Sequence, residues 1–142
     1  MAKIEMVIDT LQLSLENYKH VLILKEKVGK RSIPIFVDLW EADAIAVKLQ
    51  NINVSRPTTH DLLCNLLNAM GFSVNSVMLN RLQEETYYAE LVVISGDKSH
   101  RLDCRPSDGL AVAIRVGAPI FVDEKVLNEA GMILDPETGE PV

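Results

Sequence analysis

From Lys3 to Leu15 apolar and polar positions alternate, with Ile4, Met6 and Ile8 in one phase and Leu11, Leu13 and Leu15 in the other. A period of two lines one face of a strand, and the change of phase predicts a bulge or bend near Asp9-Thr10. Val21–Lys25 and Ile33–Val37 read as further strands. Glu41–Leu49 is rich in alanine and places Ile45 and Leu49 four apart, which predicts a short helix. Ile52–Val54 reads as a strand ended by Arg56-Pro57. Leu62, Leu63, Leu66, Leu67 and Met70 then follow helical spacing, and Gly71 stands where a helix C-cap is expected.

A shift of 65 residues, the separation of Asp38 and Asp103, brings Asp43 onto Asp108, Ile45 onto Leu110, Ala46 onto Ala111, Val47 onto Val112 and Leu49 onto Ile114. The strand at Val21–Leu24 falls on Thr86–Ala89, and Ile52–Val54 matches Ile120–Val122 with a slip. Glu124–Ala130, followed by Gly131, echoes the helix of residues 60–70. The pattern therefore predicts two strand-strand-strand-helix-strand units, about residues 6–55 and 72–122, sharing one core. The fold class is α+β, a mixed sheet with packed helices in a single domain over residues 1–134. Pro136, Gly139 and Pro141 mark residues 135–142 as a loose acidic tail.

Composition adds limits. The 142 residues are 48% hydrophobic and 24% charged, as expected of one globular domain. No apolar run nears the roughly 18 residues that span a bilayer, and the opening MAKIEMVIDT has no signal-like core, so a cytoplasmic protein without a membrane partner is expected. Cys64 and Cys104 form no pattern typical of a disulfide framework or zinc site. The net charge of −6 is uneven: residues 123–142 hold six acids against one base, leaving 13 bases and 14 acids over residues 1–122. Such a body offers no broad basic face, so nucleic-acid binding would be weak and would respond to salt with a shallow slope. Lys19, Lys25, Lys27, Lys30 and Arg31 cluster on a predicted hairpin with Gly29 in its turn, where a solvated tip is the ordinary reading.

Three polar knots sit at predicted helix starts. Asp38-Leu39-Trp40-Glu41 has the spacing of a capping box, Thr58-Thr59-His60-Asp61 can cap the following helix, and in Arg105-Pro106-Ser107-Asp108 the serine can cap while Asp108 occupies the first turn. Capping alone could explain all three knots, though it suits Ser107 and Asp38 better than His60 and Arg105, whose side chains are poor caps. PSDG is not a nucleophile elbow, and Gly109 and Gly117 flank a helix rather than a phosphate loop.

"SIPIFVDLWEADAIAVKL", "RPTTHDLL" and "DCRPSDGLAVAIRVGAPIFV" stand in that order and resemble the signature stretches of the bifunctional nuclease domain family over about residues 6–134. Asp38 stands where that family tends to have glycine, Gly109 where it tends to have alanine, and Cys104 departs from the pattern before RPSD. The resemblance implies phosphodiester hydrolysis of DNA and RNA. His60, Asp61, Asp103 and Asp108 are then the candidate catalytic groups, and Arg56, Arg105 and Ser107 the candidate substrate contacts. Glu41, Asp61 and Asp108 are candidate ligands for a divalent metal such as Mg or Mn. The expected partners are nucleic acid and further copies of the chain, as a homo-oligomer. The competing reading is a non-catalytic binding or assembly module whose arginine–acid clusters tie the repeats, or two subunits, together.

Overall fold

In the computed structural model, which describes residues 2–13 and 19–142, eight strands form one mixed sheet and four helices accompany it among the described residues. The strands are β1 (Lys3–Leu13), β2 (His20–Glu26), β3 (Arg31–Val37), β4 (Ser73–Gln83), β5 (Thr86–Ser95), β6 (Lys98–Cys104), β7 (Ile120–Asp123) and β8 (Met132–Ile133). The helices are α1 (Leu39–Leu49), α2 (Thr59–Ala69), α3 (Pro106–Val116) and α4 (Glu124–Ala130). The sheet order is β6-β5-β4-β7-β1-β2-β3-β8. The fold is therefore α+β, as the pattern predicts.

The register of β1 against β2 shifts between Ile8 and Thr10, the bulge implied by the change of apolar phase. Leu15 lies outside the described residues. The short β7 is the hinge of the sheet, antiparallel to β1 and parallel to β4. A parallel pair cannot be closed by a hairpin, so the chain returns through β5, β6 and the crossover helix α3. That helix is the best-buried one: Leu110, Ala111, Val112 and Ala113 have no exposed surface. Gly117 ends it in the left-handed region at φ 71°, where a residue with a Cβ would be strained.

Period-two patterning separates the two faces of the sheet. Val77 and Leu79 are fully buried, whereas Met78 between them opens with Lys3 and Phe121 onto a shallow depression on the far face. The core lies between the first face and the helices, with α3 packed on β4 and β5 and flanked by α1 and α2.

The element order reads strand-strand-strand-helix at β1-β2-β3-α1 and again at β4-β5-β6-α3, but order alone does not make the two halves a structural repeat. The closing strand of the first unit does not form: Ile52–Val54 is irregular and exposed, with no partner strand beside it, while its counterpart becomes β7. Residues 134–142 turn back on themselves through a bridge between Leu134 and Pro141. In the basic hairpin, Lys25, Lys27 and Arg31 meet Asp9, Glu5 and Glu26 respectively, so three of its charges are locally answered. Gly29 suits the turn because its φ of 148° is one that a residue with a Cβ rarely adopts.

The α2 stripe differs from a usual amphipathic pattern. Leu62, Leu66 and Met70 are 62%, 54% and 67% exposed, and the inward side is made by His60, Cys64 and Leu67. The leucine spacing predicts the helix correctly but marks its outer face. An apolar row left in water is the signature of a contact surface.

Candidate functional site

The first turns of α1, α2 and α3 converge on one cleft of about 330 Å³, lined by Trp40, Glu41 and Asp43, by Thr58, Thr59 and His60, and by Arg105, Asp108 and Arg115. Convergence follows from the topology. Helices α1 and α3 each leave a strand end directly, and α2 lies against α3, so their positive dipole ends face a common space. Acids in those first turns, Glu41, Asp61 and Asp108, are favoured by the same dipoles.

Capping explains only one knot. Asp61 Oδ2 accepts from the Thr58 backbone N–H and hydroxyl, both at 2.9 Å. Asp38 makes no side-chain cap bond, and Glu41 turns instead to Arg105. In the third knot the N-cap is Arg105 and Pro106 is the first helical residue, which moves Ser107 inside the helix, where it is buried.

What remains is a charge-linked chain across the cleft. His60 Nε2 lies 2.9 Å from Asp108 Oδ1, and Arg105 Nε donates to Asp108 Oδ2 at 2.8 Å. A second Arg105 nitrogen donates to Glu41, and a third faces Asp38 at 3.7 Å. Burial pushes the Asp108 carboxyl up, but the bonds from Arg105 and His60 outweigh it and hold the group below the usual carboxylate range. A carboxylate ionised at neutral pH beside Nε2 favours the tautomer that donates from Nε2, and the lone pair is then on Nδ1. His60 itself is only 9% exposed and stands at the cleft wall.

A second, deeper link ties the helices together. Arg115, with 7% of its side chain exposed, donates to Asp61 at 2.8 Å, to the Ala111 carbonyl at 2.8 Å and to the Ala44 carbonyl at 3.1 Å. The Thr58 N–H first, and then Arg115, lower the Asp61 carboxyl to about 2. Sequence reasoning missed Arg115, although a lone cation inside AVAIRVGAP was a usable signal. Trp40 was missed as well.

The structure thus brings together His60, Asp108, Arg105 and Glu41 in one bonded chain, with Asp61 held beside it by Arg115. It does not bring in the other candidates. Asp103 lines a depression with Tyr88, Glu90 and Arg101. Arg56 is exposed in the segment before α2 and is not part of the cleft wall. Ser107 lines a neighbouring depression with Phe36 and Tyr87. Among the described residues no three His, Cys, Asp or Glu side chains are grouped to hold a metal ion. Glu41, Asp61 and Asp108 each take an arginine instead. As arranged, these residues do not fit a metal centre.

Comparison with known proteins gives this architecture its family. Residues 22–135 match the bifunctional nuclease domain, and the chain belongs to that family. An uncharacterized protein of Mycobacterium tuberculosis is 43% identical over 120 residues, 84% of this chain and 71% of its own. Bifunctional nuclease 2 of Arabidopsis thaliana is 30% identical over 125 residues, and bifunctional nuclease 1 of Oryza sativa 26% identical over 126. This chain spans 38% of the length of each of these two plant proteins. No helix among the described residues is long and apolar enough to cross a membrane.

Proposed function

We propose that this chain hydrolyses phosphodiester bonds of DNA and RNA at the cleft where α1, α2 and α3 begin. The observation that carries the reading is the chain His60–Asp108–Arg105–Glu41, which places a histidine oriented by a carboxylate beside an exposed guanidinium. DNA has no 2′-hydroxyl, so an activity common to both polymers uses water as nucleophile. His60 Nδ1 takes a proton from that water as its oxygen bonds to phosphorus, and the ester oxygen leaves with a proton from the imidazolium or from solvent. The side chain of Arg105 is 57% exposed and commits only part of its five N–H donors to Asp108 and Glu41, which leaves donors for the charge developing on phosphate. Glu41, Asp61 and Asp108 are the residues that would hold a divalent ion of the Mg or Mn class, and Glu41 Oε2 is buried without a partner, but each carboxylate is already paired with an arginine, so no step here passes through one. Cleavage of purified single-stranded DNA and RNA, lost in His60→Ala, tests the reading.

A second reading has its own support. Both arginines are bonded to acids on other helices, which is what an assembly module would need, and the α2 face offers a place for another copy of the chain. Under that reading Leu66→Glu converts an oligomer to monomer in sedimentation while no variant changes cleavage. Under the nuclease reading His60→Ala abolishes cleavage whatever the state of assembly.

A further inference from the structure

The chain has one tryptophan, and it is not in the core. Trp40 is 78% exposed in the first turn of α1, at the wall of the cleft beside His60 and Arg105. Burying an indole is one of the larger apolar gains open to a fold, and here it is forgone. Phe36, 63% exposed near the end of β3, lines the adjoining depression. Arg105 lines both, so the two depressions that carry an exposed aromatic residue meet at this one arginine.

We infer that Trp40 and Phe36 are base-stacking platforms and that the substrate is an unpaired strand, its backbone passing Arg105 between them. The inference rests on the phosphodiesterase reading and narrows its substrate class. Stacking on an aromatic face is open to every base and indifferent to the sugar, whereas a duplex keeps its base faces stacked on one another. Electrostatics points the same way. Asp38, Glu41 and Asp43 stand around Arg105, so the cleft cannot hold a polymer through many phosphates as duplex binders do. A protein partner fits less well, because Asp38, 82% exposed in its side chain, stands between Phe36 and Trp40 along the chain, and interface cores are depleted of charge.

Because Trp40 is the sole tryptophan, the emission of the unmodified protein reports on it directly. The protein is titrated with a short single-stranded oligodeoxynucleotide, the matching oligoribonucleotide and a blunt duplex, with anisotropy of the labelled strands measured in parallel. Both single strands quench the emission saturably and the duplex binds more weakly. Trp40→Ala loses about tenfold in affinity for single strands, and Trp40→Phe recovers most of it. Single strands that bind by anisotropy without quenching, or with unchanged affinity for Trp40→Ala, overturn the inference and leave the phosphodiesterase reading standing. Equal affinity for the duplex also overturns it, as does a Trp40→Ala variant altered only in sedimentation, which marks a protein contact. Failure of every oligonucleotide to bind overturns both.

Discussion

His60 and Asp108, 48 residues apart in sequence, meet through a 2.9 Å bond between Nε2 and Oδ1, while the other oxygen of Asp108 accepts from Arg105. One carboxylate thus fixes a ring on α2 and a guanidinium at the start of α3. The consequence is directional: Asp108 orients the His60 ring through Nε2, so the acid does not itself need to touch substrate.

Asp108→Asn tests that relationship apart from folding. The amide keeps the shape and an acceptor but loses the charge that holds the His60 ring and the Arg105 guanidinium. Cleavage by the folded variant is expected to fall by about a hundredfold, in kcat rather than KM. A merely structural bond would lower the melting temperature and leave the cleavage rate of the folded protein unchanged.

Asp61 makes an acid-sensitive contribution to stability. Its carboxyl is lowered from an ordinary 3.8 to about 2 in the folded protein, by Thr58 first and Arg115 next. A depressed carboxyl stabilises the fold fully above its unfolded value and loses that contribution as the pH falls from about 4 towards 2. Denaturant titrations of the wild type and Asp61→Asn should therefore differ most above pH 4 and converge near pH 2. A constant difference across that range would contradict the assignment.

Arg115 is the clamp among three helices, and its loss takes a donor from Asp61 Oδ1, whose other oxygen keeps Thr58, and from the Ala111 and Ala44 carbonyls. Arg115→Met keeps most of the apolar stem, so its cost isolates the lost bonds. Discounted because Asp61 is partly exposed, the expected loss is about 2 kcal/mol, or a melting temperature lower by about 4–8 °C. A calorimetric shift within error of zero would show that water replaces the guanidinium without cost.

Much of this was legible in the chain. The bulge after Ile8, the helix ended by Gly71 and the Glu124–Ala130 helix all follow from periodicity and punctuation, because local geometry alone decides them. Ile52–Val54 failed for a tertiary reason: a short apolar triplet forms a strand only beside a partner, and β7 is already flanked by β1 and β4. Of the site, the polar knots were visible as sequence clusters, but their pairing was not. Nothing local joins His60 to Asp108 or Glu41 to Arg105; the crossover helix α3 does, by carrying its first turn between α1 and α2. Asp103 lies near Arg105 in sequence yet lines a different depression, since it belongs to β6 and the turn into α3 separates the two.

The most direct test of the central claim is the rate at which His60→Ala cleaves labelled single-stranded DNA and RNA, compared with wild type purified in parallel. His60 lies on the buried inner side of α2, so a melting curve must first show that the variant is folded. The account predicts a folded protein whose cleavage of both polymers is reduced by a factor of about 10² to 10⁴, the usual worth of a positioned general base. A folded His60→Ala protein that cleaves either polymer at the wild-type rate would contradict it.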